Sequence, residues 1–543
     1  MKTRGAWMGL GIVVVGVGAT ASACTESSSS PTPGTTGTDA DIQGDGGGAG
    51  TDAATTLDAR APEGGTRADG IVREIVYRQL THATTAADFP TNVPVISGNG
   101  KRIAFAVAPG TQSAATPNRI FVIDADGTNL KQVDSYKTNC FCGSDVAISD
   151  DGNTIVSTDS TQVRVVDTAG TLKGSFTLDN NVVTNLALNA TGSDVFFINA
   201  RDSNQTLPSA TPRARGTYTM KSNGTGITAI LTPQTVAPLV GKTAAEVFPF
   251  AGCGTSLAVS SDGTKVFSVV NVLGAQAIIA SSGTGTGAAL VLGPVTTGDK
   301  LVYAVATNQN GSKAAYWTAS AAPAGGEIGV MGADGTNKTK LFDIGAGGGC
   351  RMPFTMSGDG AKVTLSVMST VFPTDGSEPW PLLIGTGFFS SDPAFVGSPD
   401  GPLSMAADGK TFVYVNSDAV GKQIAIAELD PASVGAAPKV TEPKVSPAEI
   451  PHDLSVAATM EARVSGTPIR VGGQVFYKGL LDSNAVHADK VLLPDAGVYV
   501  AGGVNASTNA TPGPRILRIK AEAKDGSGLR SAHAVDFGPF TIK

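Results

Sequence analysis

A short turn signature recurs between residues 97 and 409 and constrains this chain more than any other feature. Each copy begins with Ser, Asn or, once, Ala, ends three positions later in Gly, and leads into an apolar segment. Most of these glycines follow Asp or Asn, a pairing that supplies the positive backbone φ angles of hairpin turns. The seven copies end at Gly100, Gly152, Gly192, Gly263, Gly311, Gly360 and Gly409. Successive glycines are 40 to 71 residues apart, which is room for four short antiparallel strands in each repeat.

Composition supports an all-β class. The chain has 543 residues with 68 Gly and 31 Pro, and Thr, Val, Ala and Ser dominate over Lys and Glu. Such usage favours short strands joined by many turns. The length exceeds what one hydrophobic core can organise, so we expect at least two domains.

A second hairpin signature makes the repeat specific. It reads Ile-Phe-Val-Ile-Asp-Ala-Asp-Gly-Thr-Asn-Leu at residues 120–130 and returns around Gly224 and in residues 328–337. Together with the turn at residues 97–105, it resembles the repeat of TolB-like and WD-repeat-like bacterial propellers. The resemblance implies a seven-bladed β-propeller over residues 70–436. TolB-like propellers resemble docking platforms whose function comes from their loops rather than from their blades.

The ends of the repeat region predict how the ring closes. Residues 71–80 alternate apolar and polar side chains as a strand does, and the seventh repeat stops early, after residues 423–429. An unpaired edge strand invites aggregation. We therefore predict that the N-terminal strand completes the last blade.

The first residues predict export. Lys2 and Arg4 precede an apolar stretch too short and glycine-rich for a membrane span, and Ala21-Ser22-Ala23 then places small residues before Cys24. This resembles a bacterial lipobox, so residues 1–23 are predicted to be a signal peptide and Cys24 to be lipidated. The usual Leu three positions before the Cys is replaced by Ala21. Ordinary signal peptidase cutting at the same bond therefore remains the alternative.

Residues 24–69 are predicted to form a tether. They are almost entirely Ser, Thr, Gly, Pro, Ala and Asp and cannot bury enough apolar surface to offset the entropy of ordering. An acyl-anchored protein needs such a spacer to hold its folded part off the membrane. Thr25 is not the Asp that resembles an inner-membrane retention signal, so the outer membrane is favoured, with the protein facing the periplasm or the exterior.

The C-terminal region has a different pattern. Residues 437–451 are rich in Pro and are predicted to form a semi-rigid linker. Residues 452–543 alternate in five segments, as a small antiparallel β-sandwich requires. The segment 515–528 looks like the penultimate strand and hairpin of bacterial immunoglobulin-like domains. This domain lacks the Cys-Trp-Cys core of antibody domains.

Four cysteines besides Cys24 are candidates for disulfides. Cys142, Cys253 and Cys350 each lie seven residues before a turn signature, and Cys140 lies close by. An oxidising compartment favours two disulfides among four cysteines, with three possible connectivities. A thiolate metal site is the alternative, although Cys-Phe-Cys is not the spacing typical of zinc. We expect no bound metal and no cofactor.

Two acidic features have ordinary structural explanations. Residues 124–129 resemble the opening of a calcium loop, but the twelfth position is Ser135 rather than an acid, so a hairpin turn explains them. Asp145, Asp202 and Glu246 lie near predicted blade connections, where solvated acids are common. We nominate no catalytic residue.

The remaining composition bears on function. A net charge of −7 without a basic block argues against a nucleic-acid partner. The chain has 4 His and no recognisable catalytic motif. We therefore expect a non-enzymatic binding or scaffolding module that contacts a protein or glycan through the propeller face. The alternative is a propeller hydrolase or lyase acting on a polysaccharide or peptide at the channel mouth.

Intact mass spectrometry of the protein purified from membranes tests the anchor and the disulfides together. We expect a diacylglycerol-sized or larger addition on Cys24, and a gain of about 4 Da on reduction if four cysteines form two disulfides. A mature chain with an unmodified N-terminus would contradict lipidation. Free thiols before reduction would contradict the disulfides.

Overall fold

The computed structural model describes most of the chain from residue 73 onward. The described residues are 73–85, 90, 93–107, 118–136, 146–158, 162–177, 183–200, 215–249, 256–272, 275–295, 301–319, 326–344, 353–365, 369–382, 399–417, 421–452, 455–477, 480–481, 485–486, 489–495 and 498–543. Regular structure in these ranges is nearly all β-strand. The exceptions are a short helix, α1 (Pro233–Val236), and 3₁₀ segments at Ala237–Val240 and Ala244–Glu246. No helix within the described ranges is long and apolar enough to cross a membrane.

Antiparallel sheets of four or five strands follow one another along the chain, after a first strand β1 (Arg73–Gln79). Sheet 1 contains β2 (Val95–Ile96), β3 (Arg102–Val107), β4 (Asn118–Asp124) and β5 (Lys131–Tyr136), and sheet 2 contains β6 (Val146–Ile148), β7 (Thr154–Thr158), β8 (Gln162–Asp167) and β9 (Leu172–Thr177). Sheet 3 contains β10 (Val183–Leu188), β11 (Asp194–Asn199), β12 (Gly216–Lys221) and β13 (Thr228–Leu231), and sheet 4 contains β14 (Val247–Pro249), β15 (Leu257–Val259), β16 (Lys265–Val272), β17 (Ala275–Ser282) and β18 (Ala289–Val295). Sheet 5 contains β19 (Leu301–Thr307), β20 (Lys313–Ala319), β21 (Gly326–Gly332) and β22 (Thr339–Ile344), and sheet 6 contains β23 (Phe354–Met356), β24 (Lys362–Leu365), β25 (Thr370–Pro373) and β26 (Trp380–Pro381).

The N-terminal strand closes the circle, as the sequence predicts. The last strands of the repeat region are β27 (Pro399–Met405), β28 (Thr411–Ser417) and β29 (Lys422–Leu429), which pair in that order. Strand β1 pairs antiparallel with β29, with Tyr77 opposite Ala427. We call these four strands sheet 7. Hydrophobic clusters lie between each sheet and the next, and one more joins sheet 7 back to sheet 1. A closed ring of antiparallel sheets is the architecture of a β-propeller.

The recurring turn signature has a common local structure. The Gly at its fourth position has a positive φ between 63° and 74° in all seven copies, which is the left-handed region that Gly enters without a Cβ clash. Its N–H donates to the carbonyl of the first residue at 2.8–3.1 Å. Where the first residue is Ser, as at Ser97 and Ser260, its hydroxyl donates to the Asn or Asp at the third position and accepts an N–H from the following strand. The sequence signature is therefore a turn stabilised by its own side chains.

A Lys or Arg two positions after the turn forms a hydrogen bond to the turn of the next sheet. Lys313 and Lys362 donate to the carbonyls of Gly360 (3.4 Å) and Gly409 (2.9 Å), each in the turn of the next sheet. Arg102 makes the same bond to the turn of sheet 2 at 3.2 Å. The Lys of the repeat thus joins neighbouring sheets.

The C-terminal region forms two facing sheets that continue the propeller. Its strands are β30 (Lys439–Ser446), β31 (Glu449–Ile450), β32 (Ala458–Ser465), β33 (Arg470–Tyr477), β34 (Leu480–Leu481), β35 (Ala485–Val486), β36 (Asp489–Val491), β37 (Leu493–Asp495), β38 (Val498–Ala506), β39 (Gly513–Lys524) and β40 (Arg530–Ile542). One sheet has the order β30-β32-β38-β35, and the other runs β40-β39-β33-β34. They bury one apolar core between them, which is a β-sandwich.

The structure corrects the predicted linker at residues 437–451. Most of that segment is strand: β30 pairs with β32, and β31 pairs with β40. Val440 and Ile450 are buried in the sandwich core. The Pro content suggested a connector, but Pro443 is compatible with β30 because β30 is the edge strand of its sheet, and Pro447 lies just after the last residue of β30.

The sandwich is joined to the propeller through β1. On the side away from β29, β1 pairs antiparallel with β40, with Tyr77 opposite Ala532. The resulting sheet runs β27-β28-β29-β1-β40-β39-β33-β34 without interruption. The N-terminal strand is therefore a central strand with both edges hydrogen-bonded, and it belongs to both units.

A buried arginine fixes this junction. Arg518 of β39 is fully buried and forms a two-point ion pair with Asp536 of β40. It also donates to the carbonyls of Pro381 (2.6 Å) and Leu382 (3.2 Å), at the end of β26 in sheet 6, and to the Tyr77 hydroxyl of β1 at 3.2 Å. Burial raises the pKa of Tyr77 to about 12, so the hydroxyl stays protonated and donates to the Leu382 carbonyl at 2.7 Å. One guanidinium thus connects β39, β40, β1 and sheet 6.

Replacing Arg518 with Met tests whether this network holds the junction together. Removing one partner leaves the Asp536 carboxylate buried without a counter-charge, so we expect the free energy of unfolding to fall by about 3–5 kcal/mol. The measurement is urea denaturation followed by fluorescence and circular dichroism. The double variant Arg518→Met with Asp536→Leu should recover part of the loss.

Arg463→Met is the matched control, because the Arg463–Glu442 pair is 59% exposed on both sides. An exposed pair contributes at most about 1 kcal/mol. Equal effects of Arg518→Met and Arg463→Met would contradict the role assigned to the buried network.

Candidate functional site

One edge strand of each sheet lies innermost, around the axis of the propeller; it is the first strand in every sheet except sheet 4, where it is β15, and sheet 7, where it is β27. The strands β2, β6, β10, β15, β19, β23 and β27 each contact their counterparts in the two neighbouring sheets. Because the strands alternate in direction, all seven signature turns lie at one end of this channel, which we call the turn end. The connections between consecutive sheets lie at the opposite end, which we call the connection end.

The turn end is closed by a continuous circle of backbone hydrogen bonds. Each signature turn donates an N–H to the carbonyl of the second residue of the next turn, at 2.6–3.1 Å. The accepting residues, in order, are Asp150, Ala190, Ser261, Gln309, Gly358, Ala407 and Gly98. The last bond, from the seventh turn to Gly98, returns to the first. The backbone groups that point toward the axis are therefore already paired with one another.

Side chains narrow the turn end further. The carboxylate of Asp150, in the second turn, accepts a hydrogen bond from the hydroxyl of Ser261, in the fourth turn. This bond crosses the intervening turn, where the second residue is the small Ala190. A Cβ placed on Gly98 would overlap the Asp150 side chain. The turn end is thus filled by its own residues and is a poor place for a ligand.

Carboxylates at the turns are held in their ionised form. The Ser260 hydroxyl and the N–H of Thr264 donate to Asp262 and keep its pKa below the ordinary value. The Ser357 hydroxyl does the same for the pKa of Asp359. Ten carboxyl groups within the described ranges have a displaced pKa, and in every one the pKa is lowered: Asp126, Asp151, Asp167, Asp194, Glu246, Asp262, Asp334, Asp359, Asp375 and Asp525. A general acid near neutral pH needs the opposite shift.

The segment that resembles a calcium loop is a hairpin turn. Asp124 receives hydrogen bonds from Arg102 at 3.0 Å and from Asn129 at 2.8 Å, while Asp126 receives the N–H and hydroxyl of Thr128. Both carboxylates are therefore engaged in the turn and in its contact with β3. Within the described ranges, no group of three or more His, Cys, Asp or Glu side chains could hold a metal ion.

The connection end has one described element that the sequence did not predict. Between β13 and β14 the chain forms α1 and the two 3₁₀ segments, in the longest of the repeat intervals. Arg215 is buried beneath this insertion, with its guanidinium 3.7 Å from the ring centre of Phe248. It also donates to the carbonyls of Ala244 and Ala245. Phe248 remains 38% exposed, so the insertion presents a supported aromatic side chain to solvent.

Glu246, one of the three acids near predicted connections, has a structural role here. Its carboxylate accepts the N–H of Thr243 at 2.9 Å and the Thr243 hydroxyl at 2.8 Å, as in a capping box. These bonds lower its pKa. Asp145 and Asp202 lie outside the described residues.

The cysteines also lie outside the described residues. In the chain, Cys140 and Cys142 fall between β5 and β6, Cys253 between β14 and β15, and Cys350 between β22 and β23. Lipidation of Cys24 and disulfides among the other four therefore stay predictions.

Comparison with known proteins gives only distant structural likenesses. No protein-family model matches the chain, and no curated protein matches it. Among solved structures, a TolB protein from Agrobacterium tumefaciens is 15% identical, covering 54% of this chain and 96% of that chain with a TM-score of 0.34. An oligogalacturonate lyase from Vibrio parahaemolyticus is 13% identical, covering 68% and 100% with a TM-score of 0.44. The β-propeller domain of the trilobed protease from Pyrococcus furiosus is 13% identical, covering 53% and 78% with a TM-score of 0.34.

These likenesses concern only the fold, because the identities and TM-scores are low. The assignment of a β-propeller rests on the chain's own closed succession of antiparallel sheets.

Substitution of Gly98 tests the packing at the turn end. In Gly98→Ala the added methyl displaces Asp150 from Ser261, so we expect the free energy of unfolding to fall by about 1–3 kcal/mol. Asp150→Ala in the same chain should recover part of that loss by removing the overlap. Gly526→Ala is the control, since nothing lies within 4 Å of its Cβ position. Urea denaturation in which Gly98→Ala and Gly526→Ala behaved alike would contradict the close approach.

Proposed function

We propose that this protein is an envelope lipoprotein that binds a protein or glycan partner through the connection end of its propeller, without catalysing a reaction. The anchor is Cys24, and the partner approaches the end opposite the signature turns. The outer membrane is the favoured location. We further propose that the ring is a seven-bladed propeller and that the C-terminal sandwich is immunoglobulin-like.

The observation that carries the binding function is the state of the described acids. Among the residues that the structure describes, every displaced carboxyl pKa is lowered, as for Asp262 and Asp359. Hydrolases and lyases that act on sugars or peptides use a group that donates or accepts a proton near neutral pH. Carboxylates held ionised by their own turns serve the structure instead. A binding platform needs no such proton donor.

The closed turn end supports the choice of binding face. Backbone groups around the axis are paired there, and Asp150 and Ser261 fill the centre. At the connection end, Phe248 is exposed on a rigid backing formed by Arg215. Exposed aromatic side chains on rigid supports are favourable contacts for sugars and for proteins.

The count of blades and the type of sandwich rest on the sheets themselves. Seven signature turns, joined in one circle of hydrogen bonds, support seven blades. Two facing sheets around one core, with long paired strands β39 and β40, support an immunoglobulin-like arrangement.

The alternative function is a propeller hydrolase or lyase acting on a polysaccharide or peptide at the channel mouth. It would use acids in the segments that link strands, among which Asp145, before β6, and Asp202, between β11 and β12, are the candidates that the sequence offers. Propeller folds serve both binding proteins and enzymes, so the fold does not choose between the two functions.

One experiment separates binding from turnover. The protein is incubated with isolated envelope polysaccharide, with peptidoglycan and with envelope proteins from the same cells. Bound protein is measured by co-sedimentation or crosslinking, and new reducing ends, unsaturated sugars or amino termini are measured in the supernatant. We expect saturable binding to one fraction and no product. Product that disappears in Asp145→Asn or Asp202→Asn would overturn the proposal in favour of the enzyme.

A pair of matched substitutions tests the binding face. Phe248→Ser removes an exposed apolar side chain at the connection end, and we expect binding to weaken by about tenfold. Leu130→Ser removes one at the turn end, where Leu130 is 53% exposed, and should leave binding unchanged. The reverse pattern would place the partner at the turn end.

A further inference from the structure

His533 is a fully buried histidine at the place where the chain passes from the propeller into the sandwich. It lies on β40, paired with Val76 of β1 on one side and with Ala521 of β39 on the other. Its Nδ1 atom accepts the backbone N–H of Val440 at 2.9 Å. Val440 is the second residue of β30, the first strand of the sandwich. The ring of His533 thus attaches the beginning of β30 to the sheet that contains β1.

This bond requires a neutral imidazole. Nδ1 can accept the Val440 N–H only when it carries no proton, so the single ring proton must be on Nε2. Protonation places a second N–H on Nδ1, opposite the N–H of Val440. Two donors then face each other in a site without water access, and the backbone N–H of Val440 loses its acceptor.

The charges around His533 oppose one another. Glu74 of β1 lies 3.5 Å from Nε2 and favours the protonated ring. Lys439 of β30 disfavours it. Arg78, on the same face of β1, is paired with Glu428 of β29 at 2.9 Å. Opposite His533, the neighbouring strand β39 places the uncharged side chains of Ile519, Ala521 and Ala523 on this face.

Burial decides the balance among these effects. Removal of the ring from water lowers the pKa of His533, and the charge of Lys439 lowers it further. The carboxylate of Glu74 raises this pKa, but by less, so the pKa of His533 is lowered overall. The sign of the effect on stability follows. The unfolded chain binds a proton near pH 6.5 while the folded chain resists it, so stability is greatest above that pH and falls as pH decreases toward the folded pKa.

We propose that His533 is an acid-sensitive latch that releases the start of β30, and with it the entry to the sandwich, from the sheet shared with the propeller. Above neutral pH the latch is closed through the Nδ1 bond to Val440. In acid it opens locally, because β1 stays paired with both β29 and β40. The latch loosens β30 from the facing sheet of the sandwich, while the pairing of β1 with β29 and β40 keeps both the propeller ring and the junction closed.

Hydrogen exchange of the full-length protein tests the latch. The exchange of a peptide that contains Val440 is measured by mass spectrometry at about pH 7.5 and about pH 4.5, and expressed relative to the intrinsic exchange rate at each pH. We expect the protection of the Val440 N–H to fall by about tenfold at the lower pH. Peptides from β29, in sheet 7, should keep their protection.

Three variants make the interpretation specific. His533→Asn retains an acceptor near the Nδ1 position and does not titrate, so its protection at Val440 should not change with pH. Glu74→Gln removes the group that favours the imidazolium, so it should move the loss of protection to lower pH while leaving the fold intact. His452→Asn alters an exposed histidine bonded to the carbonyl of Lys543 and should behave as the unmodified protein does.

The proposal is overturned if protection at Val440 is the same at both pH values. It is also overturned if the acid-induced loss persists in His533→Asn, or if Glu74→Gln moves that loss to higher pH. If His533→Asn fails to fold, the direction of the shift in Glu74→Gln decides the question alone.

Discussion

The pairing of strand β1 along both of its edges is the constraint on which the rest of this structure depends. On one edge β1 supplies the fourth strand of sheet 7 and so closes the propeller ring, and on the other it pairs with β40 of the sandwich. A closing strand with a free edge would present unpaired backbone groups to other chains. Here β40 covers that edge, so the sandwich protects the closure of the ring.

Buried charges make this junction specific. Arg518 bonds to Asp536, to Tyr77 and to two carbonyls next to sheet 6, and Glu522 is buried between Arg470 and Arg530. Groups of this kind are costly to bury unless every partner is in place, so they penalise any other docking of β39 against the propeller more than they stabilise this one. We interpret the junction as a device that fixes the orientation of the sandwich.

The two ends of the propeller channel differ in how their polar groups are paired and in how much their segments vary from sheet to sheet. At the turn end, repeated side-chain and backbone bonds satisfy the polar groups of all seven turns, and the sequence there is repetitive because the packing is repetitive. At the connection end the segments differ in length and composition from one sheet to the next, as with the insertion that supports Phe248. Function in propellers follows such variation, because a rigid ring can carry many different loops.

The sequence alone determined the repeated sheets, the turn at each Gly such as Gly263, and the closure by the N-terminal strand, because these depend on local turn chemistry and a period visible along the chain. It also located the five principal strands of the C-terminal region through their alternation. It did not reveal that residues 437–451 belong to the sandwich, that β40 pairs with β1, or that Arg518 and His533 are buried. Those features depend on residues hundreds of positions apart meeting in space, as Tyr77 meets Arg518. Strand pairing and charge burial between distant segments leave no periodic pattern in a sequence, so only the tertiary structure decided them.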